Sequence, residues 1–150
     1  MAKLNISVGI SDFSEIRQNQ YYYVDKSGLI RQLTDGNRAK VTLITRPRRF
    51  GKSMAADMLA AYYERGEDAD LLFRSLKISK AESYRAHLNQ YDVIKVNIQE
   101  FLSMTGSMDE MLSMLKKYLV FDLMEHFDDV RFRDESNLIQ VMKDIYAKTK

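Results

Sequence analysis

The sequence predicts an α/β fold in which a parallel sheet is flanked by helices, and three observations carry that expectation. Val41-Thr42-Leu43-Ile44-Thr45 is short, β-branched and apolar on both faces, as a central strand covered by helices on either side would be. Val93-Ile94-Lys95-Val96-Asn97-Ile98 reads as a second strand. Beyond Lys52, residues Met54, Met58, Leu59, Tyr62 and Tyr63 recur at helical spacing until Gly66, so strand, loop and helix follow in that order.

The remaining elements are mostly helical. Ser11-Asp12-Phe13-Ser14-Glu15-Ile16-Arg17 offers capping residues and then a short helix, and Tyr21-Tyr22-Tyr23-Val24-Asp25 has extended propensity. A helix from about Ser27 to Thr34 buries Leu29, Ile30 and Leu33, with Gly36 at its stop. Short helices are expected over Asp68 to Ser75 and Ala81 to Leu88, a long amphipathic one over Met108 to Phe127, and a last one near Ser136 to Tyr146.

Composition narrows the function classes. With 150 residues, 45% hydrophobic and 29% charged, the chain has the size and makeup of one globular domain. A net charge of +2 gives no general field for nucleic acid or an anionic membrane, so any basic function is local. There is no cysteine, which removes disulfides, thiolate metal sites and a cysteine nucleophile. The first residues lack the apolar stretch of a signal peptide, and no run of 18 uncharged apolar residues occurs, so a cytoplasmic location with no membrane partner is expected.

The chemistry-bearing segment is Thr45-Arg46-Pro47-Arg48-Arg49-Phe50-Gly51-Lys52-Ser53. A phosphate loop works because backbone N–H groups and a helix N-terminus face the anion while a lysine reaches the β- and γ-phosphates. Gly51 would permit close backbone approach, Lys52 would supply the charge, and Ser53 would offer a hydroxyl ligand to Mg²⁺. Arg48 and Arg49 would add guanidinium contacts. The pattern G-x-x-x-x-G-K-[ST] has glycine where this chain has Arg46, but an apolar strand before and an amphipathic helix after the loop are the context it requires. The bland alternative is a solvated basic loop in which Gly51 merely permits a turn. The expected binding set is Arg46, Pro47, Arg48, Arg49, Phe50, Gly51, Lys52 and Ser53, with ATP and Mg²⁺ as cofactors, in a P-loop NTPase-type fold.

Tyr23-Val24-Asp25-Lys26-Ser27, then Leu43 to Ser53, Leu71-Leu72-Phe73-Arg74-Ser75-Leu76-Lys77-Ile78 and Tyr91 to Asn97 together resemble the AAA-ATPase-like family of predicted bacterial and archaeal P-loop ATPases. The similarity covers nearly the whole chain, and in that family arginine at the place of Arg46 is normal. The resemblance implies that residues 1–150 are the N-terminal part of an AAA-like ATPase domain. Family members continue into a Walker B strand and often a PD-(D/E)XK nuclease-like domain, neither of which follows here. The implied fold is therefore incomplete, with weak or absent hydrolysis, no assignable catalytic residue, and sheet edges needing cover. Cover would come from self-association, from a separate chain, or from pairing of the segment at 41–45 with that at 93–98.

Other residues leave alternatives open. Asp25 and Lys26 would reach the nucleotide from the N-terminal side or form a local salt bridge or cap. Tyr21, Tyr22 and Tyr23 would stack on adenine or pack in a strand. Asn97 and Glu100 would hold a water or act as a base at a strand's carboxyl end. Asp128 and Asp129 read as a solvated pair, His87 and His126 as ordinary helix residues, and Met104 to Met124 as packing. Besides ATP binding, two readings remain: a nucleic-acid phosphate grip by the loop cations, and an inactive structural or self-associating module.

Overall fold

A computed structural model describes residues 5–6, 9–36, 41–66 and 68–149. The chain divides into two compact units, residues 1–95 and 96–150.

The first unit is built on short helices around an aromatic core. Helix α1 (Phe13–Gln18) starts at Asp12, whose carboxylate accepts the Glu15 N–H at 2.7 Å, and α2 spans Gly28–Thr34. Helix α3 (Lys52–Tyr63) is the unit's longest and packs against α1. After it come α4 (Asp70–Phe73), a 3-10 turn (Lys77–Lys80) and α5 (Tyr84–His87). Phe13, Ile30, Met58, Tyr62, Phe73 and Ile78 are the buried centre. Phe73 lies 5.1 Å from Phe13 and 5.4 Å from Tyr62 between ring centroids, the spacing at which aromatic pairs add to simple burial. The Tyr62 hydroxyl donates to the Tyr84 carbonyl at 2.8 Å, which satisfies its polar end inside the core.

The expected parallel sheet is absent from the described residues, and the P-loop NTPase-type α/β class is corrected accordingly. Residues 41–46 have no regular secondary structure, with Val41 86% and Leu43 84% exposed, and 93–97 is likewise unpaired in any strand. Ile98 belongs to a helix. β-Branched composition favours an extended backbone, but a strand exists only when a neighbour takes its N–H and C=O groups. Segments 41–45 and 93–98 do not supply each other. Among the described residues a single parallel bridge joins Glu64 and Tyr91 instead, with Arg65 N–H donating to Tyr91 O at 2.9 Å and Tyr91 N–H to Tyr63 O at 2.8 Å. Among the described residues there is no sheet and so no sheet edge.

The second unit consists of α6 (Ile98–Met104), α7 (Met108–His126) and α8 (Leu138–Lys148), with α7 contacting both others. Ser107 and Glu110 form a reciprocal cap on α7: Glu110 N–H donates to Ser107 Oγ at 3.2 Å, and Gly106 N–H to Glu110 Oε2 at 3.0 Å. Asn137 caps α8 by accepting from Ile139 and Gln140 N–H. Inside α8, Asp144 is 6% exposed and gathers four donors: Arg133 N–H at 2.9 Å, Arg133 Nε at 2.7 Å, Arg133 Nη2 at 2.6 Å and Gln140 Nε2 at 2.8 Å.

The hydrogen bonds from the Arg133 backbone and guanidinium hold the Asp144 carboxyl below its ordinary value of 3.8, outweighing the opposite pull of desolvation. A folded-state pKa below the unfolded one gives stability that is complete above the unfolded value and is lost as pH falls through the folded value. Asp144→Asn is therefore expected to lower the melting temperature at pH 7 by roughly 5 °C or more. The same variant should flatten the loss of stability below about pH 4. A pH series of thermal melts on both chains checks this, and parallel curves would contradict it.

Candidate phosphate-binding loop

Residues 46–53 form an exposed turn that runs directly into α3. Arg46 and Pro47 have no regular secondary structure, Arg48 and Arg49 make the turn, and Gly51 is the residue before the helix. Arg49 has φ 66° and Gly51 has φ 74° with ψ 34°, so two left-handed residues occur within three positions. For arginine that conformation costs about 1–2 kcal/mol, which the surrounding loop must hold in place. Glycine bears it without steric cost, and a Cβ at Gly51 would stand 3.0 Å from Lys26 Nζ, close enough that the ammonium would have to move. Left-handed residues alternating with right-handed ones turn successive N–H groups into a concavity suited to an anion.

Lys52 opens α3 and folds back over the loop, donating to the Arg46 carbonyl and, at 3.3 Å, to the Pro47 carbonyl. Lys26, 24 residues earlier, donates to the Phe50 carbonyl at 3.0 Å. Ser53 sits in the first turn of α3 and is exposed. Among the described residues no ion pair takes in Arg46, Arg48, Arg49 or Lys52, so four cations cluster without carboxylate neutralisation. Phe50 is 59% exposed at the loop's tip. All eight residues expected from sequence are thus contiguous at one helix N-terminus. The contact sequence reasoning did not resolve is that of Lys26 with the loop.

The other candidates fall outside this cluster. Tyr23 is half-buried and packs against the core, edge-on to Phe13 at 5.4 Å, with its hydroxyl against Met58 Sδ at 3.3 Å, and burial pushes its pKa up. Asp25 is tied by hydrogen bonds from Ser27 N–H at 2.9 Å and Lys77 N–H at 2.8 Å. Asn97 accepts the Gln99 N–H at 3.2 Å at the start of α6 and donates to Glu100 at 2.8 Å, the pattern of a helix cap. Asp129 pairs with Lys148 at 2.5 Å on the surface. His87 stacks on Tyr91, and His126 is edge-on to Phe127. No group of three or more acidic or histidine side chains suited to a metal occurs among the described residues. No helix among them is long and apolar enough to cross a membrane.

An open cleft of about 810 Å³ lies along α3, lined by Asp12, Gln18, Asp57, Glu64, Arg65, Asp68, Asn89 and Lys95 among others. None of residues 46–53 lines it, and its Lys95 is paired with Asp57. Its volume would suit a small ligand. Its mixture of carboxylates and paired cations gives no basis for holding a polyphosphate, whereas the loop concentrates unpaired positive charge.

A 79-residue stretch, 52% of this chain, is 39% identical to an uncharacterized protein in the vnfD 5′ region of Azotobacter chroococcum mcd 1. The match spans 14% of that relative's length. No solved structure matches the chain. The family model described as Predicted AAA-ATPase matches residues 7–150, and the chain belongs to that AAA-ATPase-like family.

Proposed function

We propose that the chain binds ATP, as Mg·ATP, through the loop Arg46–Ser53. The observation that carries this reading is the pair of left-handed residues, Arg49 and Gly51, delivering an unneutralised cationic loop into the N-terminus of α3. Peptide dipoles leave the first turn of a helix partially positive with its N–H groups unbonded, so a phosphate placed there gains several charge-assisted hydrogen bonds. Lys52 would exchange two neutral carbonyl acceptors for a phosphate oxygen, which is the stronger acceptor. Arg46, Arg48 and Arg49 are exposed and able to present their planar donors to the remaining oxygens. Ser53 has the hydroxyl and the first-turn position to ligate Mg²⁺, and the metal would neutralise the phosphates it bridges. Membership of a family described as predicted ATPases supports the choice of ATP.

Displacement of a fluorescent ATP analogue tests the reading. Binding is expected to require Mg²⁺, to be reversed by ATP and ADP, and to resist an excess of single-stranded DNA. If the same cations instead grip nucleic-acid phosphates, DNA will displace the analogue, and affinity will fall steeply between 50 and 200 mM salt on the order of 10²-fold or more.

A further inference from the structure

We infer that Lys26 is a positioning residue for the phosphate loop: its ammonium holds the Phe50 carbonyl and thereby fixes the left-handed step at Gly51 through which the loop enters α3. For its effect on nucleotide the inference rests on the reading of residues 46–53 as a phosphate loop. As a statement about loop geometry it stands independently.

The Lys26 ammonium donates to Phe50 O at 3.0 Å and lies 3.0 Å from where a Cβ on Gly51 would stand. A lysine tip is ordinarily mobile, so it can fix a loop only if its stem is fixed. Both chain neighbours of Lys26 are anchored to the 3-10 turn 77–80. Asp25 accepts the Lys77 N–H at 2.8 Å, and the fully buried Ser27 accepts the Ile78 N–H on its Oγ at 3.1 Å. Ile78 is itself in the core. The backbone on both sides of Lys26 is therefore tied to the core, and the tip of its side chain ends on the loop.

Charge gives the inference a sign that can be checked. Lys26 adds a fifth cation beside Arg46, Arg48, Arg49 and Lys52, so electrostatics alone would make the free loop more ordered once Lys26 is removed. A strut predicts the reverse. When phosphate draws Lys52 away from the Arg46 and Pro47 carbonyls, Lys26 keeps its hold on Phe50, so one lysine binds while the other maintains the turn.

The test uses the full chain and the variants Lys26→Met and Lys26→Arg. Lys26 is exposed, so both should fold. The first readout is amide hydrogen exchange without nucleotide at Ala55, whose N–H closes the first turn of α3 on Gly51 O at 3.0 Å. Lys26→Met should accelerate Ala55 exchange roughly fivefold, with partial rescue in Lys26→Arg. The Arg74 amide, bonded to Asp70 O at 2.8 Å in α4, should be unaffected. Unchanged or slower exchange at Ala55 in Lys26→Met overturns the inference. The second readout is Mg·ATP affinity, expected to weaken roughly fivefold in Lys26→Met and less in Lys26→Arg. If the exchange result holds but the unaltered chain binds no nucleotide, the strut stands and the functional reading fails. If the unaltered chain binds and Lys26→Met binds equally well, the role in phosphate binding is overturned.

Discussion

Lys52→Ala is expected to weaken Mg·ATP binding on the order of 100-fold while shifting the melting temperature by no more than roughly 2 °C. The two effects separate because Lys52 is exposed and its present acceptors, the Arg46 and Pro47 carbonyls, remain open to water when the ammonium is lost. A hydrogen bond from an exposed ammonium to a neutral carbonyl, with water free to replace either partner, contributes little to stability. A charge-assisted bond to phosphate is worth about 1.5–3 kcal/mol, and about 2.7 kcal/mol corresponds to 100-fold in affinity. Lys52→Arg keeps the charge but changes its reach and donor geometry, so an intermediate loss is expected. Calorimetric titration of the three chains at one salt concentration measures the series. Equal affinity in all three would place the nucleotide elsewhere.

Phe73→Ala should produce the largest change in stability, about 3–5 kcal/mol. Phe73 is fully buried, and its ring lies between those of Phe13 and Tyr62, which come from α1 and α3. Truncation removes its apolar transfer energy and leaves a void that three helices would have to close, although the rings around it are too large to follow. Against a total stability of roughly 5–15 kcal/mol for a domain, a loss of that size is enough to unfold much of the population near 37 °C. Phe73→Leu keeps most of the volume and should cost less than about 1.5 kcal/mol. With no tryptophan and nine tyrosines, urea unfolding can be followed by tyrosine fluorescence. An unaltered midpoint in Phe73→Ala would contradict the aromatic core described for the first unit.

What could be read from the sequence follows the range of the interactions involved. Helix α7 was legible to within a residue because its determinants are local: the Ser107 and Glu110 cap lies three positions apart, and its apolar spacing is internal to the helix. The helix after the loop was legible for the same reason, although it ends at Tyr63 rather than at Gly66. The strands at 41–45 and 93–98 were misread because pairing is a property of two segments, and composition reports on only one at a time. Asn97 shows the consequence, since a residue placed at a strand's end instead begins α6.

The candidate site divides along the same line. Arg46 to Ser53 are contiguous, so motif and order placed them together at the start of α3. Lys26 meets Phe50 across 24 positions, and Asp25 and Ser27 meet Lys77 and Ile78 across more than 50, so only a folded chain reveals that the Tyr23–Ser27 stretch is tied to both the loop and the core. Tyr23 could be read equally as a stacking platform or a packed ring, and its place against Phe13 and Met58 decides for packing.

The central claim is that residues 46–53 receive the phosphates of Mg·ATP, and residue-resolved amide chemical shifts during a Mg·ATP titration test it most directly. The account predicts saturating shifts concentrated at Arg49, Phe50, Gly51, Lys52 and Ser53, with smaller ones at Lys26 and none at Asp57, Glu64 or Asp68 along the cleft. Shifts centred on the cleft, or none anywhere in a folded chain at millimolar nucleotide, would contradict it.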